Sequence, residues 1–284
     1  MTAPLALLTD VAIDQDWRGY TTAEHRVWST LYDRQAALLG TRACQAFLNG
    51  LEVLDLRGGI PDFAAINVRL ENLTGWRVIA VPGLIPDADF FDLLARRRFP
   101  SARFIRDASA LDYLSEPDVF HDVFGHVPML TDPVFADYMQ AYGEGGLRAL
   151  GLNHLPHLAR LYWYTVEFGL VGADSDLRLY GAGAASSAAE TVFALESRSP
   201  NRLGFDLRRV MRTRYRIDDF QQTYFVIPSL DALLEATLAD FRDVYTSLEG
   251  AGDIGPEAVL PTDRVLTLGT QTHAAETGGR SPPQ

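Results

Sequence analysis

The hydrophobic positions of the chain recur mostly with the spacing of amphipathic helices. Thr21 and Glu24 form a capping-box pattern ahead of apolar residues spaced three and four apart, and Gly40 marks a natural stop. Proline and N-cap signals at Pro61 and Asp132 open two further apolar-periodic stretches. These patterns predict helices over residues 22–39, 61–74, 132–150, 153–170 and 229–249.

Few stretches have the character of strands. Short β-branched and aromatic runs predict strands at residues 76–81, 177–180, 210–213 and 223–227. We therefore expect a mainly α fold with a few short strands.

The periodic pattern covers one continuous part of the chain. Residues 1–14 carry no clear element and are expected to be a flexible N-terminus, and residues 250–284 are a Gly, Thr, Pro and Ala mixture typical of a disordered tail. A single domain over 15–249 remains. The tail lacks the heptad pattern of a tetramerising helix, so we expect a monomer.

Composition excludes several chemistries. All 25 basic residues are arginine, against 37 acidic residues and a net charge of −12. Without lysine there is no Schiff base for pyridoxal-phosphate chemistry and no P-loop. The negative charge argues against nucleic-acid binding. No apolar run is long enough to span a membrane, and the single cysteine, Cys44, suits a reducing cytoplasmic compartment.

Two histidines dominate the candidate chemistry. Residues 116–128 read EPDVFHDVFGHVP, which places His121 and His126 five residues apart. On a regular α-helix, two side chains five residues apart point in directions about 140° apart around the helix axis, so the two imidazoles would diverge. Either they are unrelated histidines at a helix end, or a turn loosened at Gly125 swings His126 back toward His121.

A carboxylate within an aromatic helix is the third element. Residues 162–170 read YWYTVEFGL, so Glu167 is surrounded by large apolar side chains. A buried carboxylate needs a partner, which is either an arginine or a cation. Two histidines and one carboxylate form the facial set that suits ferrous iron and leaves positions open for oxygen. The H-E-x-x-H spacing of zinc peptidases is absent.

Four segments together carry a family resemblance. They are VPGLIPDADF from residue 81, EPDVFHDVFGHVP from 116, YWYTVEFGL from 162 and YGAGAASS from 180. Over residues 16–245 the chain resembles the pterin-dependent aromatic amino acid hydroxylases, and most of all the bacterial members that act on phenylalanine. The resemblance implies a single helical catalytic domain that uses iron(II), tetrahydrobiopterin and O₂ to convert L-phenylalanine to L-tyrosine.

The resemblance also implies roles for individual residues. His121, His126 and Glu167 would be the iron ligands and the catalytic centre. Phe90 would stack on the pterin ring, the backbone of Gly83, Leu84 and Ile85 would bind its edge, and Asp122 matches a pterin-contacting acid that is longer in animal relatives. Arg106 would bind the substrate carboxylate, Asp118 would orient it, Trp163 would line the ring pocket, and Ser186 would lie near the polar end of the substrate, with Glu190 behind it.

Alternatives remain at this point. If the resemblance is set aside, the sequence favours a core position in a helix for Phe90 and a surface position for Arg106. Tryptophan hydroxylation within the same family, a zinc hydrolase with the same three ligands, and an amino-acid-binding protein that has lost catalysis are the competing functions.

Overall fold

The computed structural model describes residues 11–112, 116–173, 176–238 and 241–273, and helices form most of this part. The longer helices are α1 (Thr22–Leu39), α2 (Gln45–Leu54), α3 (Phe63–Thr74), α4 (Asp87–Ala95), α5 (Pro133–Leu150), α6 (Leu155–Tyr162), α7 (Ala182–Ser186), α8 (Ala188–Glu196), α9 (Leu207–Arg212), α10 (Leu230–Leu238) and α11 (Phe241–Leu248). Two π-helical segments, π1 (Phe120–His126) and π2 (Trp163–Glu167), lie among them.

The predicted helix starts are formed by the expected caps. The side chain of Thr21 accepts a hydrogen bond from the backbone N–H of Glu24, whose carboxylate accepts one from the N–H of Thr21, so the capping box is complete. Asp132 accepts from the N–H groups of Val134 and Phe135 ahead of α5. These caps satisfy backbone donors that have no partner inside the helix.

The strands of the described residues form two small sheets. Strands β1 (Arg77–Val81) and β2 (Arg98–Ala102) pair in parallel. A second sheet has the order β4-β3-β6-β5-β7, made of β3 (Leu170–Ala173), β4 (Asp176–Leu179), β5 (Asn201–Gly204), β6 (Thr223–Ile227) and β7 (Val265–Thr267). The prediction of a mainly α fold with a few short strands is confirmed.

Three predicted elements differ from the structure. Residues 210–213 do not form a strand, because α9 begins after Asp206, whose side chain caps it by accepting from the N–H of Arg209. The helix predicted over 153–170 is α6 followed by π2, and β3 begins at Leu170. The helix predicted over 229–249 is helical in α10 and α11, with residues 239–240 outside the described part.

The C-terminal segment is part of the fold as far as residue 273. Ile254 is buried, β7 pairs with β5, and Asp263 forms a buried ion pair with Arg209 at 2.9 Å. Contrary to the expectation of a disordered tail, residues 251–273 therefore pack on the domain, while 274–284 lie outside the described residues. Near the other end, Ile13 donates its N–H to the carbonyl of Ala80 at 2.9 Å; residues 1–10 are not described.

The core is continuous across the helices and both sheets. It contains several fully buried aromatic side chains, among them Trp28, Trp76, Phe120 and Phe124. Cys44 is also buried, and burial raises the pKa of its thiol, as expected for a packed rather than a nucleophilic cysteine. Among the described residues, no helix is both long and apolar enough to cross a bilayer.

Candidate metal and substrate site

The two histidines of the 116–128 motif face each other. Their Nε2 atoms are 3.2 Å apart, although five residues separate them. The reason is that the whole of π1, and not only its last turn, has π-helical geometry. Hydrogen bonding from i to i+5 brings residues five apart onto one face, whereas a regular α-helix would separate them.

Gly125 allows π1 to lie directly against α7. A Cβ added at Gly125 would come within 2.9 Å of the carbonyl oxygen of Ala182 and within 3.2 Å of its Cβ. A side chain here would push the two segments apart. The glycine next to His126 is therefore required by the close approach of two backbones.

The carboxylate of Glu167 completes the cluster from π2. Its Oε1 lies 3.3 Å from Nε2 of His126, and its Oε2 lies 3.6 Å from Nε2 of His121. The candidate ligand atoms all lie within 4.8 Å of one another. Within the described part of the chain, the ion-pair partners of Glu167 are these histidines and not an arginine.

The size of this cluster fits a metal ion. Bonds of about 2.1 Å at right angles would separate neighbouring ligand atoms by about 3.0 Å, close to the distances between His121, His126 and Glu167. Two imidazole nitrogens and a carboxylate are donors suited to iron(II). Since the three atoms form one face, the opposite face of such an ion stays open.

Electrostatics favour the protonation states that a metal requires. The pKa of His121 is lowered to about 4, chiefly by burial; Glu167 opposes this shift and the neighbouring His126 adds to it. Burial would raise the pKa of Glu167, but the two histidines outweigh it, so the net shift is downward. Neutral imidazole and ionised carboxylate are the forms that bind metals.

Ser186 contacts a candidate ligand. Its Oγ lies 2.9 Å from Nδ1 of His121. A proton on Nδ1 that is donated to this hydroxyl leaves the Nε2 lone pair directed at Glu167 and His126. The sequence pointed to Ser186 as a substrate contact, and nothing in the motif indicated that it would hold the imidazole.

Arg106 and Asp118 form a buried two-point ion pair beside the cluster. Nε and Nη2 of Arg106 donate to the two carboxylate oxygens of Asp118, each at 2.8 Å. Asp118 also accepts from the backbone N–H of His121 at 3.0 Å, which joins the arginine to the start of π1. Burial would raise the pKa of Asp118, but Arg106 outweighs it and the pKa is lowered.

Phe90, predicted to stack on the pterin, is linked to the metal cluster through the ring of Tyr162. Phe90, on α4, is half-buried and packs edge-on against Tyr162, with ring centroids 5.9 Å apart. Tyr162 in turn lies 6.2 Å from the ring of His126. Phe90 is therefore not a closed core residue.

The backbone segment predicted beside it is open. Gly83 and Ile85 are half-buried, and Leu84 is 78% exposed.

Asp122 is buried, and its Oδ2 accepts a hydrogen bond from the N–H of Ala102 on β2 at 2.7 Å. Burial raises the pKa of this carboxyl to about 7. One of its two oxygens is thus held by the protein backbone.

Trp163 is held by residues that the sequence did not single out. Its Nε1 donates to Oε1 of Gln221 at 2.8 Å, and its ring stacks on Tyr215 with centroids 4.3 Å apart. Glu190 accepts a hydrogen bond from the phenol hydroxyl of Tyr224. Phe124 stacks on Phe120 within the core.

Comparisons with known proteins agree with this geometry. The family model of biopterin-dependent aromatic amino acid hydroxylases matches residues 16–246. The chain is 64% identical over 272 residues to phenylalanine-4-hydroxylase of Caulobacter vibrioides, covering 95% of this chain and 92% of that one. It is 55% identical to the enzyme of that name from Ralstonia nicotianae, covering 95% of this chain and 87% of the relative.

Solved structures show the same likeness. The cobalt-bound phenylalanine hydroxylase of Chromobacterium violaceum superposes with a TM-score of 0.88 at 53% identity, over 90% of this chain and 93% of that one. The iron- and phenylalanine-bound structure of that enzyme has a TM-score of 0.86 at 52% identity, over 90% and 94%. On this evidence of sequence and fold, the chain belongs to the biopterin-dependent aromatic amino acid hydroxylase family.

Proposed function

We propose that this protein is a phenylalanine 4-monooxygenase that converts L-phenylalanine, O₂ and tetrahydrobiopterin to L-tyrosine and 4a-hydroxytetrahydrobiopterin. The observation that carries the proposal is the meeting of a metal-sized His121, His126 and Glu167 cluster with a buried guanidinium at Arg106. Several relatives at 52–64% identity bear the name of this activity. The cytoplasmic location and the monomeric state expected from the sequence stay predictions.

In this proposal His121, His126 and Glu167 hold iron(II). When bound, the iron and the reduced pterin supply the electrons that activate O₂ for insertion of one oxygen atom into the aromatic ring. Ser186 keeps Nε2 of His121 free for the metal by engaging Nδ1. The three protein ligands leave the remaining face of the ion to the reactants.

Arg106 binds the carboxylate of the amino acid. A guanidinium presents a planar fork of N–H donors, and Asp118 holds that fork in one orientation by a two-point contact. Because Asp118 also accepts from the N–H of His121, the position of the substrate carboxylate is set relative to the metal ligands. The aromatic ring of the substrate then lies against Trp163, whose own ring is held by Gln221.

Phe90 and the backbone of Gly83, Leu84 and Ile85 bind the pterin. The half-buried phenyl ring of Phe90 can stack on a pterin, and such stacking contributes about 0.5–1.5 kcal/mol beyond area burial. Asp122 belongs to the same side of the site, with one carboxylate oxygen held by Ala102. The ring of Tyr162, which packs between Phe90 and His126, would help to keep water from the reacting atoms.

A tyrosine-formation assay with single omissions tests the function. We expect the purified protein with iron(II), tetrahydrobiopterin, air and L-phenylalanine to form tyrosine, and to form none when iron is chelated or the pterin is left out. Tyrosine formation that survives either omission would contradict the proposal. Restoration of the chelated protein by zinc in place of iron would contradict it as well.

Competition among amino acids tests the substrate. With phenylalanine, tryptophan and tyrosine present at equal concentration, phenylalanine is expected to be consumed fastest. Faster hydroxylation of tryptophan would support the tryptophan hydroxylase alternative within the same family.

A further inference from the structure

Arg202 is a buried cation for which the described residues provide no countercharge. It lies on β5 with 4% of its surface exposed, and its Nε donates to the carbonyl of Ala194 at 2.8 Å. Its Nη2 donates to the carbonyl of Ser197 at 2.9 Å. Within the described part of the chain, no carboxylate pairs with Arg202 and its Nη1 has no hydrogen-bond partner.

Two backbone carbonyls at the end of α8 do not neutralise a full charge. A helix C-terminus carries only a partial negative charge, of about half an electron. Arg202 also loses hydration on burial, which lowers its pKa. Buried charges in proteins are usually paired, so the remaining side of this guanidinium calls for an anion.

Arg202 lines a cleft of about 380 Å³ that is large enough for a small metabolite. The other polar lining residues are Thr41, Arg42, Arg178, Glu196 and Thr267. Thr267 belongs to β7, so the ordered C-terminal segment forms one of the walls. None of these residues belongs to the metal, substrate or pterin set.

The lining carries an excess of positive charge. Glu196 is the partner of Arg42, whose Nε and Nη2 donate to the same carboxylate oxygen at 2.8 and 2.6 Å. Among the described residues, Arg178 pairs with Asp176, and because their side chains are 44% and 78% exposed, this contact contributes little. The guanidinium groups of Arg178 and Arg202 therefore remain for a ligand, although the protein as a whole carries a net charge of −12.

We propose that this cleft binds a small molecule through a phosphate group, held by Arg178 and Arg202. A phosphate carries a charge between about −1.5 and −2 at pH 7, which matches two guanidinium groups. Its tetrahedral oxygens accept bidentate contacts from arginine and hydrogen bonds from hydroxyl groups such as those of Thr41 and Thr267. The site is independent of the hydroxylase activity.

Calorimetric titration of the iron-loaded protein tests this site. The probes are inorganic phosphate and ribose 5-phosphate, with sodium chloride of matched ionic strength as the background. We expect saturable binding of at least one probe, and binding of ribose 5-phosphate alone would identify a phosphate ester as the ligand. The absence of saturable binding by both probes would overturn the proposal.

Variants separate the cleft from the metal site. Arg178→Gln, whose side chain is half exposed, is expected to weaken binding tenfold or more, and Arg202→Met is expected to abolish it. Arg216→Gln is the matched control, because Arg216 forms an exposed pair with Asp218 away from the cleft. Unchanged affinity in Arg178→Gln would overturn the proposal even if Arg202→Met failed to fold.

Discussion

The hydroxyl oxygen of Ser186 lies 2.9 Å from Nδ1 of His121, on the side of the imidazole away from Glu167. A metal-binding histidine commonly donates its second N–H to such a partner, which sets the tautomer and the ring orientation. We therefore expect Ser186, which lies outside the proposed ligand set, to affect how tightly the site binds iron.

Ser186→Ala should weaken iron(II) binding by about 10- to 100-fold, the usual cost of losing such a partner. Titration against a competing chelator measures this. Ser187→Ala is the matched control, because Ser187 caps α8 by accepting from the N–H of Glu190. It should lower the free energy of unfolding by about 1 kcal/mol and leave iron affinity unchanged. Equal iron affinity in the two variants would refute the role of Ser186.

Gly125→Ala should disturb both stability and the metal site. The new Cβ would lie 2.9 Å from the carbonyl oxygen of Ala182, so π1 must shift, and His126 is the next residue. Overpacking of this kind costs about 1–3 kcal/mol. Urea unfolding and iron titration report the two effects.

Gly145→Ala is the control for that substitution. Gly145 lies within α5, and the nearest atom to an added Cβ is 3.9 Å away, at the end of the Arg148 side chain. Alanine there should stabilise the helix by up to about 1 kcal/mol. Iron affinity in Gly125→Ala that matches this control would show that the close approach to α7 is not needed.

Arg106→Lys should raise the KM for phenylalanine while iron content stays normal. Lysine keeps the charge but cannot make the two-point contact with Asp118, so the group is no longer oriented. Losing hydrogen bonds to a charged group costs about 1.5–3 kcal/mol, or roughly 10- to 100-fold in KM. Arg103→Lys, at an exposed position nearby, should have no effect. An unchanged KM in Arg106→Lys would remove it from the substrate site.

Glu190 should make folding stability depend on pH. The pKa of its carboxyl is raised from 4.5 to about 7, chiefly by burial; hydrogen bonds from Tyr224 and Gln221 oppose this shift, and the nearby Asp219 adds to it. The folded state thus holds this proton more tightly than the unfolded state. The stabilisation is complete below pH 4.5 and is lost as pH rises through about 7.

Urea unfolding of the protein and of Glu190→Gln between pH 5 and 8 checks this. The free energy of unfolding of the unmodified protein should fall relative to the variant as pH rises. Glu24→Gln is the control, because hydrogen bonds from Thr21 lower the pKa of Glu24 below its usual value of 4.5, so the difference between this variant and the unmodified protein should stay constant from pH 5 to 8. A difference between the unmodified protein and Glu190→Gln that stays constant with pH would contradict the shift.

Local signals in the sequence were sufficient where the cause of structure is local. The caps at Thr21 and Asp132 form as predicted, because the atoms that satisfy them lie within three residues. The side-chain types of residues 210–213 favour a strand, but Asp206, also visible in the sequence as an N-cap, starts a helix there.

Other features depend on contacts far along the chain. The π-helical geometry that brings His121 and His126 together is accompanied by the packing of Gly125 against Ala182. Because Ala182 is distant in the sequence, the residues around His121 do not reveal this contact. The ordered C-terminal segment is held by distant partners such as Arg209, which lies 54 residues before Asp263. The contact between Ser186 and His121 likewise spans 65 residues.

The rate of tyrosine formation by Glu167→Ala tests the central claim most directly. Glu167 is the one carboxylate of the metal cluster, so its loss should leave two histidines that cannot hold iron in a facial site. Glu71→Ala, which removes an exposed carboxylate paired with Arg77, is the control and should keep the full rate. With iron, reduced pterin and air supplied, we predict no detectable tyrosine from Glu167→Ala. A rate equal to that of the unmodified protein would contradict the assignment of His121, His126 and Glu167 as the catalytic iron site.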